Sequence, residues 1–193
     1  MHFFGNENPK QLPVPPLAFD HASTLTNPQS LWLIRFPKLK SLELSHSQIL
    51  NLEFEYGSAC IPQLKKVVLR GTNLQGVLGL PSSLSILSIR ACLSLKRLPT
   101  IQNLINLLEL ELLNLPVEES KGLGEIKRLE ILVVSDCKIV LLNGLSKLRS
   151  LQRLSLKNCN SLNKLPNVSD LTMLKVLEIH VARGSVTSKA STN

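Results

Sequence analysis

The hydrophobic pattern LxxLxL begins at Leu39 (LKSLEL) and returns at Leu64 (LKKVVL), Leu84 (LSILSI), Leu107 (LLELEL), Leu129 (LEILVV), Leu151 (LQRLSL) and Leu174 (LKVLEI). The steps between starts are 25, 20, 23, 22, 22 and 23 residues, a mean of 22.5. The fourth and sixth positions of each unit lie two apart, so a strand turns both to one face. Leu42 and Leu44, Leu87 and Ile89, and Leu154 and Leu156 are thereby predicted to point inward. Three residues past the last strand leucine stands a small or thiol side chain: Ser47, Thr72, Cys92, Cys137 or Cys159. Buried at a bend, such a group fills little space and meets a free backbone polar atom.

One stretch is written twice, as SIRACLSLKRLP (Ser88 to Pro99) and SLKNCNSLNKLP (Ser155 to Pro166), with six of twelve positions identical. The two copies are the same structural unit, three repeats apart. A period near 22 lies in the range of leucine-rich repeats, whose units cannot bury their apolar face alone and therefore stack. The fold class that follows is an α/β repeat solenoid, a horseshoe with a parallel concave β-sheet of about seven strands. At about 4.8 Å per strand the sheet is roughly 29 Å across. The convex side is expected to be mostly irregular or 3-10, because Pro and Gly interrupt the return segments. Residues 1–30 hold five of the eleven prolines and read as a poorly ordered or degenerate segment, with Leu31 and Leu33 a degenerate repeat. The repeat domain is expected over 31–182, and the polar residues 183–193 as a disordered tail.

Composition narrows the function classes. The chain of 193 residues is 44% apolar but only 4% aromatic, so its core is aliphatic. No apolar run approaches the roughly 18 residues of a membrane span, and the N-terminal residues lack the basic start and apolar run of a signal peptide. Four cysteines without an export signal fit reduced thiols in the cytosol or nucleus. The net charge of +8 is unevenly placed. Residues 1–137 carry 13 Lys/Arg against 12 Asp/Glu, whereas residues 138–193 carry nine against two. That basic third has no Phe, Tyr or Trp to stack on bases, so charged docking or plain solvation is expected of it rather than nucleic-acid binding.

The run LPSSLSILSIRACLSLKRLP (Leu80 to Pro99) resembles the repeats of plant intracellular nucleotide-binding leucine-rich-repeat immune receptors. It is most similar to those carrying a Toll/interleukin-receptor-type domain, in which a phrase LPSSLxxLxxxxCxSLxxLP is characteristic. Ser155 to Pro166 supplies the latter half again, and the resemblance covers residues 36–182. It implies a cytoplasmic or nuclear module that recognises a pathogen effector or a guarded host protein, or other domains of the same receptor, and helps hold that receptor off. The phosphate-binding phrase GxxxxGK[ST] is absent, so this chain is not the nucleotide switch. A generic leucine-rich scaffold, such as a substrate-presenting subunit of a ubiquitin ligase, is the alternative reading.

The residues beside the inward leucines face the concave solvent and are the candidate partner-binding positions. Across the sheet they are Lys66, Val68 and Arg70; Ile86, Ser88 and Arg90; Glu109, Glu111 and Leu113; Ile131, Val133 and Ser135; and Arg153, Ser155 and Lys157. Val68, Ile86, Leu113, Ile131 and Val133 are expected to form a contiguous aliphatic patch rimmed by Arg70, Arg90 and Arg153, the usual look of a protein contact. Glu109 and Glu111 are expected to pair with Arg90 or neighbouring strands.

No catalytic, cofactor or metal site is expected. His46 and His180 fall on the first and last repeats, no nucleophile elbow GxSxG occurs, and no CxxC pair offers zinc spacing. Cys92, Cys137 and Cys159 read as stacked core thiols, and Cys60 lies in a longer loop.

If the inward register is right, Leu132→Ala lowers stability by about 2–5 kcal/mol as a core truncation. An unfolding midpoint equal to that of the parent chain would place Leu132 at the surface instead.

Overall fold

The computed structural model describes residues 17–20, 30–32, 36–54, 61–164 and 167–180. Leu33, Cys60, the tail 183–193 and the last two residues of the second twin phrase, Leu165 and Pro166, lie outside them. In chain order the described strands are Leu17–Asp20 (β1), Ser30–Trp32 (β2), Ser41–Ser45 (β3), Asn51–Glu53 (β4), Lys66–Arg70 (β5), Gly76–Leu78 (β6), Ile86–Arg90 (β7), Glu109–Leu113 (β8), Ile131–Ser135 (β9), Arg153–Lys157 (β10) and Val176–His180 (β11).

Eight of them form one parallel sheet in the order β1-β3-β5-β7-β8-β9-β10-β11. Seven are the strands that the LxxLxL phrases predict. The eighth, β1, pairs with β3 from within the proline-rich first thirty residues, where no repeat phrase occurs. The return side is largely irregular with 3-10 turns, as expected, and has one addition. It contains 3-10 turns at Leu123–Glu125 and Leu145–Lys147, but its N-terminal half carries a second parallel sheet, β2-β4-β6. Leu31 falls in β2. In β4 and just after it, Leu52 and Phe54 lie two apart and are both buried, which favours an extended backbone there.

Leucines fill the space between the two sides. Leu42, Leu44, Leu87, Leu132, Leu154 and Leu156 are all fully buried. Each such side chain contributes about 1.5–3 kcal/mol relative to full exposure. The burial depends on the next unit: Leu177 in β11, the counterpart of Leu132 and Leu154, is 47% exposed.

Each unit turns away from its strand through one left-handed residue. His46, Gly71, Ala91, Asn114, Asp136 and Asn158 all have φ between 50° and 56° and directly follow a strand. Their N–H groups donate to the strand-end carbonyl of the following unit, as from Asp136 to Lys157 O at 2.9 Å. Asn and Asp tolerate this conformation, whereas alanine is strained by it. The thiols lie just beyond. Cys137 Sγ donates to Leu112 O and Ser135 O at 3.3 Å each, Cys159 to Val134 O at 3.5 Å, and Cys92 meets Thr72 Oγ1 at 3.1 Å. Burial pushes the Cys137 thiol up to about 11 and raises that of Cys159, so both stay protonated near neutral pH.

The two twin phrases share a local structure that the other units lack. Their next buried leucine follows the thiol by three residues, Leu95 after Cys92 and Leu162 after Cys159. In four other units that gap is two, as from Cys137 to Ile139. The extra residue is taken up by a tight turn, in which the N–H of Leu95 or Leu162 donates back to its own Cys carbonyl at 3.1 Å.

Two substitutions test the backbone. Gly144 has φ +84° and a Cβ there would sit 2.7 Å from Gly124 Cα. Gly144→Ala should therefore destabilise by roughly 1–3 kcal/mol. Ala91→Gly should stabilise by up to about 1 kcal/mol, since relief of left-handed strain exceeds the added chain entropy. Urea midpoints shifting in these opposite directions would agree with the geometry, and a destabilised Ala91→Gly would contradict it.

Candidate protein-binding surface

The fifteen positions that the sequence singles out form a regular grid on the solvent face of β5, β7, β8, β9 and β10. The register aligns Lys66, Ile86, Glu109, Ile131 and Arg153 in a first row. Val68, Ser88, Glu111, Val133 and Ser155 make the second, and Arg70, Arg90, Leu113, Ser135 and Lys157 the third. Five strands at about 4.8 Å and five residues at about 3.3 Å make this grid roughly 19 by 13 Å. That is near 250 Å², well short of the ~800 Å² per partner in a standard interface. A stable partner must also touch the rims.

The expected contiguous aliphatic patch is divided. Glu109 stands between Ile86 and Ile131 in the first row, and Ser88 and Glu111 stand between Val68 and Val133 in the second. The reason is register: fixing the leucines inward leaves no freedom to slide β8 and remove its acids. One aliphatic group is Val68 with Ile86 on its diagonal. The other is Ile131 and Val133 on one strand, with Leu113 beside Val133. All five side chains are half-buried.

Two of the fifteen are not presented to solvent. Ser88 and Ser155 are each only 2% exposed, because a carboxylate from the following unit covers each hydroxyl. Ser88 Oγ donates to Glu111 Oε2 at 2.8 Å, and the Arg90 guanidinium bonds the same oxygen while its Nε donates to Ser88 Oγ at 2.9 Å. Ser155 Oγ donates to Glu178 Oε2 at 3.0 Å, with Lys157 Nζ at 3.1 Å and Arg153 Nη2 at 2.8 Å from Glu178. Both are built from the opening Ser-x-Arg/Lys of the twin phrase plus a glutamate 23 residues on. That recurrence is the signal in the sequence from which these clamps were predictable.

The charges are otherwise distributed unevenly. Lys66 Nζ lies 2.8 Å from Glu43 Oε1. Among the described residues Glu109 and Arg70 make no ion pair, so of the three arginines expected to rim the patch only Arg70 is uncommitted. On the adjoining rim Asp136 accepts from Ser135 Oγ at 2.5 Å and from Asn158 Nδ2 at 3.0 Å, and these bonds hold its carboxyl below the usual range. Burial pushes the Glu111 carboxyl up, but the bonds from Arg90 and Ser88 and the charges of Arg90 and Lys66 outweigh it, leaving the group below its ordinary value. Lys157 and then Ser155 lower the Glu178 carboxyl.

Among the described residues no group of three or more His, Cys, Asp or Glu is arranged to hold a metal ion. Among the same residues no helix is long and apolar enough to cross a membrane.

No family model matches the chain. Over 146 residues, 73% of the chain, it is 29% identical to Disease resistance protein RPS4B of Arabidopsis thaliana. The matched region spans 12% of that relative's length. Among solved structures, the leucine-rich repeat domain of the type III effector XopL has a TM-score of 0.57 at 20% identity. That match covers 82% of this chain and 62% of the other. The architecture is thus that of a leucine-rich-repeat domain, and the sequence is related to a plant resistance protein.

A carboxyl lowered by folding stabilises the fold above its unfolded value, and the contribution is lost as pH falls through the folded one. Glu111→Gln should therefore flatten the loss of stability as pH falls below 4.5, the ordinary value of this carboxyl, since folding lowers it from there. Urea midpoints measured across that window decide it, and an unchanged slope would show that the clamp contributes nothing.

Proposed function

We propose that this chain is the recognition module of a plant innate immune receptor of the intracellular nucleotide-binding leucine-rich-repeat class. It binds an effector or a guarded host protein on the solvent face of the long sheet. Before that, the same face or the basic C-terminal third rests against other domains of the receptor and contributes to its autoinhibition. The module works in the cytosol or nucleus.

The observation that carries this reading is the 29% identity to a plant disease resistance protein across 73% of the chain. The surface is in keeping with it. Half-buried aliphatic side chains at Ile131, Val133 and Leu113 sit beside charges whose positions are fixed by the Glu111 and Glu178 clamps. Aliphatic centres with polar rims are what protein partners bury, and the fixed charges select among them. The fold alone does not single out receptors, since a type III effector carries a similar domain.

Ile131→Glu combined with Val133→Glu should weaken binding of a captured partner at least about tenfold while leaving the melting curve of the chain unchanged. Arg149→Glu, on the return side, serves as the control. Equal affinities for all three proteins would move the recognition surface off this face, and loss of folded signal in the double variant would put these side chains in the core.

A further inference from the structure

Four glutamates stand on the exposed face of the long sheet from β3 to β11: Glu43, Glu109, Glu111 and Glu178. Three of them are met by cations. Lys66 Nζ lies 2.8 Å from Glu43, the Arg90 guanidinium bonds Glu111, and Arg153 and Lys157 reach Glu178 at 2.8 and 3.1 Å. Glu109 has neither an ion pair nor a side-chain hydrogen bond among the described residues.

The cations around it are turned elsewhere. In the first row of the grid Lys66 and Arg153 flank the triplet Ile86-Glu109-Ile131. Each engages a glutamate on its far side, Lys66 in β3 and Arg153 in β11. Arg128, on the segment entering β9, donates to Asn106 Oδ1 at 3.1 Å. The centre of this row is therefore negative, with its charge unanswered.

Its surroundings are aliphatic. Ile86 and Ile131 are the direct neighbours of Glu109 on the two adjoining strands, and all three side chains are half-buried. The two isoleucines stand two strand spacings apart, roughly 10 Å. Apolar contacts form at about 4–4.5 Å, so one methylene chain laid over Glu109 can touch both walls. A carboxylate partly withdrawn from water attracts a cation more strongly than a fully solvated one.

We propose that Glu109 receives an arginine side chain of the partner protein, its methylene stem between Ile86 and Ile131 and its guanidinium on the carboxylate. The inference rests on the sheet face being the recognition surface, and adds the chemistry that this face selects. The planar guanidinium fork matches a carboxylate with two parallel bonds and is more weakly hydrated than an ammonium, which suits a half-buried place. Arginine with an apolar stem is also a recurrent anchor of protein interfaces. A partner presenting an acid here would meet Glu109 unpaired and be rejected.

The test is a titration of the isotopically labelled 193-residue chain, followed through its backbone amide resonances. The probe is a pool of acetylated, amidated heptapeptides with a fixed central Arg and random uncharged flanks. A second pool carries citrulline there, which keeps the stem and the shape but not the charge. The expected result is saturable shifts at Ile86, Glu109 and Ile131, at least about fivefold weaker with the citrulline pool. Glu109→Gln, with an unchanged melting curve, should bring the Arg pool down to the citrulline level. Glu119→Gln, on the return side and paired with Lys121, should leave the preference intact. Ile86→Ala should weaken both pools alike, since it removes a wall from the stem they share. Equal binding of the pools, an arginine preference that survives Glu109→Gln, or no shift at these three residues would each overturn the assignment. None of these outcomes decides the wider reading of the face, which falls only if Ile131→Glu with Val133→Glu leaves the affinity of a captured partner unchanged.

Discussion

No unit of this solenoid can enclose its own leucines, and the rest of the structure depends on how neighbours complete one another. Leu132 and Leu154 are fully buried because a further strand follows each of them, whereas Leu177 in β11 is 47% exposed. Each strand must therefore lie in one register with the next, or its apolar row turns to the other face. The left-handed residue after each strand enforces the same register from the backbone, by donating its N–H to the strand-end carbonyl of the next unit. The buried thiols of Cys92, Cys137 and Cys159 tie the same register from inside the bend, each donating to a strand carbonyl of the preceding unit, Leu69, Leu112 and Val134 in turn. Leucine and bend recur from unit to unit and the thiol joins them in three units, so an error in one is opposed by the others.

That shared register also sets the chemistry of the exposed face. A side chain on a five-residue strand cannot choose its neighbours; they are assigned by counting from the leucines. The twin phrase uses this. Its serine lies beside the glutamate of the following strand, and its Arg or Lys, two residues on, reaches the same carboxylate. The result is a hydroxyl buried at no loss of hydrogen bonding and a charge held in one place, which an isolated surface ion pair does not achieve.

Most of the fold was legible in the sequence because burial in a strand is a local, period-two property. Seven strands of the long sheet could be placed by finding LxxLxL. β1 could not, since Leu17 to Asp20 is a single strand without the phrase and takes its place only by pairing with β3. The short second sheet was hidden for a similar reason, its strands being three residues each. Of the fifteen positions that the sequence assigns to the exposed face, thirteen are open or half-open to solvent and two, Ser88 and Ser155, are covered, and the sequence did not say who stands beside whom. Glu109 between Ile86 and Ile131 is a fact about residues 22 or 23 apart, and it emerges only once the strands are stacked. Glu178 over Ser155 shows in the sequence only as a twin phrase followed, 23 residues after its serine, by a glutamate.

The two surfaces of the solenoid therefore differ in kind. The strands between β1 and β11 have a ladder on both sides, so the face they make offers a partner side chains alone, on a stiff support. Changing one exposed residue there alters the surface without disturbing the row of leucines behind it. The return side is less regular, and among the described residues the N–H groups of Lys96, Arg97, Leu98 and Thr100 meet no backbone acceptor. Variation on the first surface leaves the second intact, because the stacked leucines between them transmit only the register that both already share.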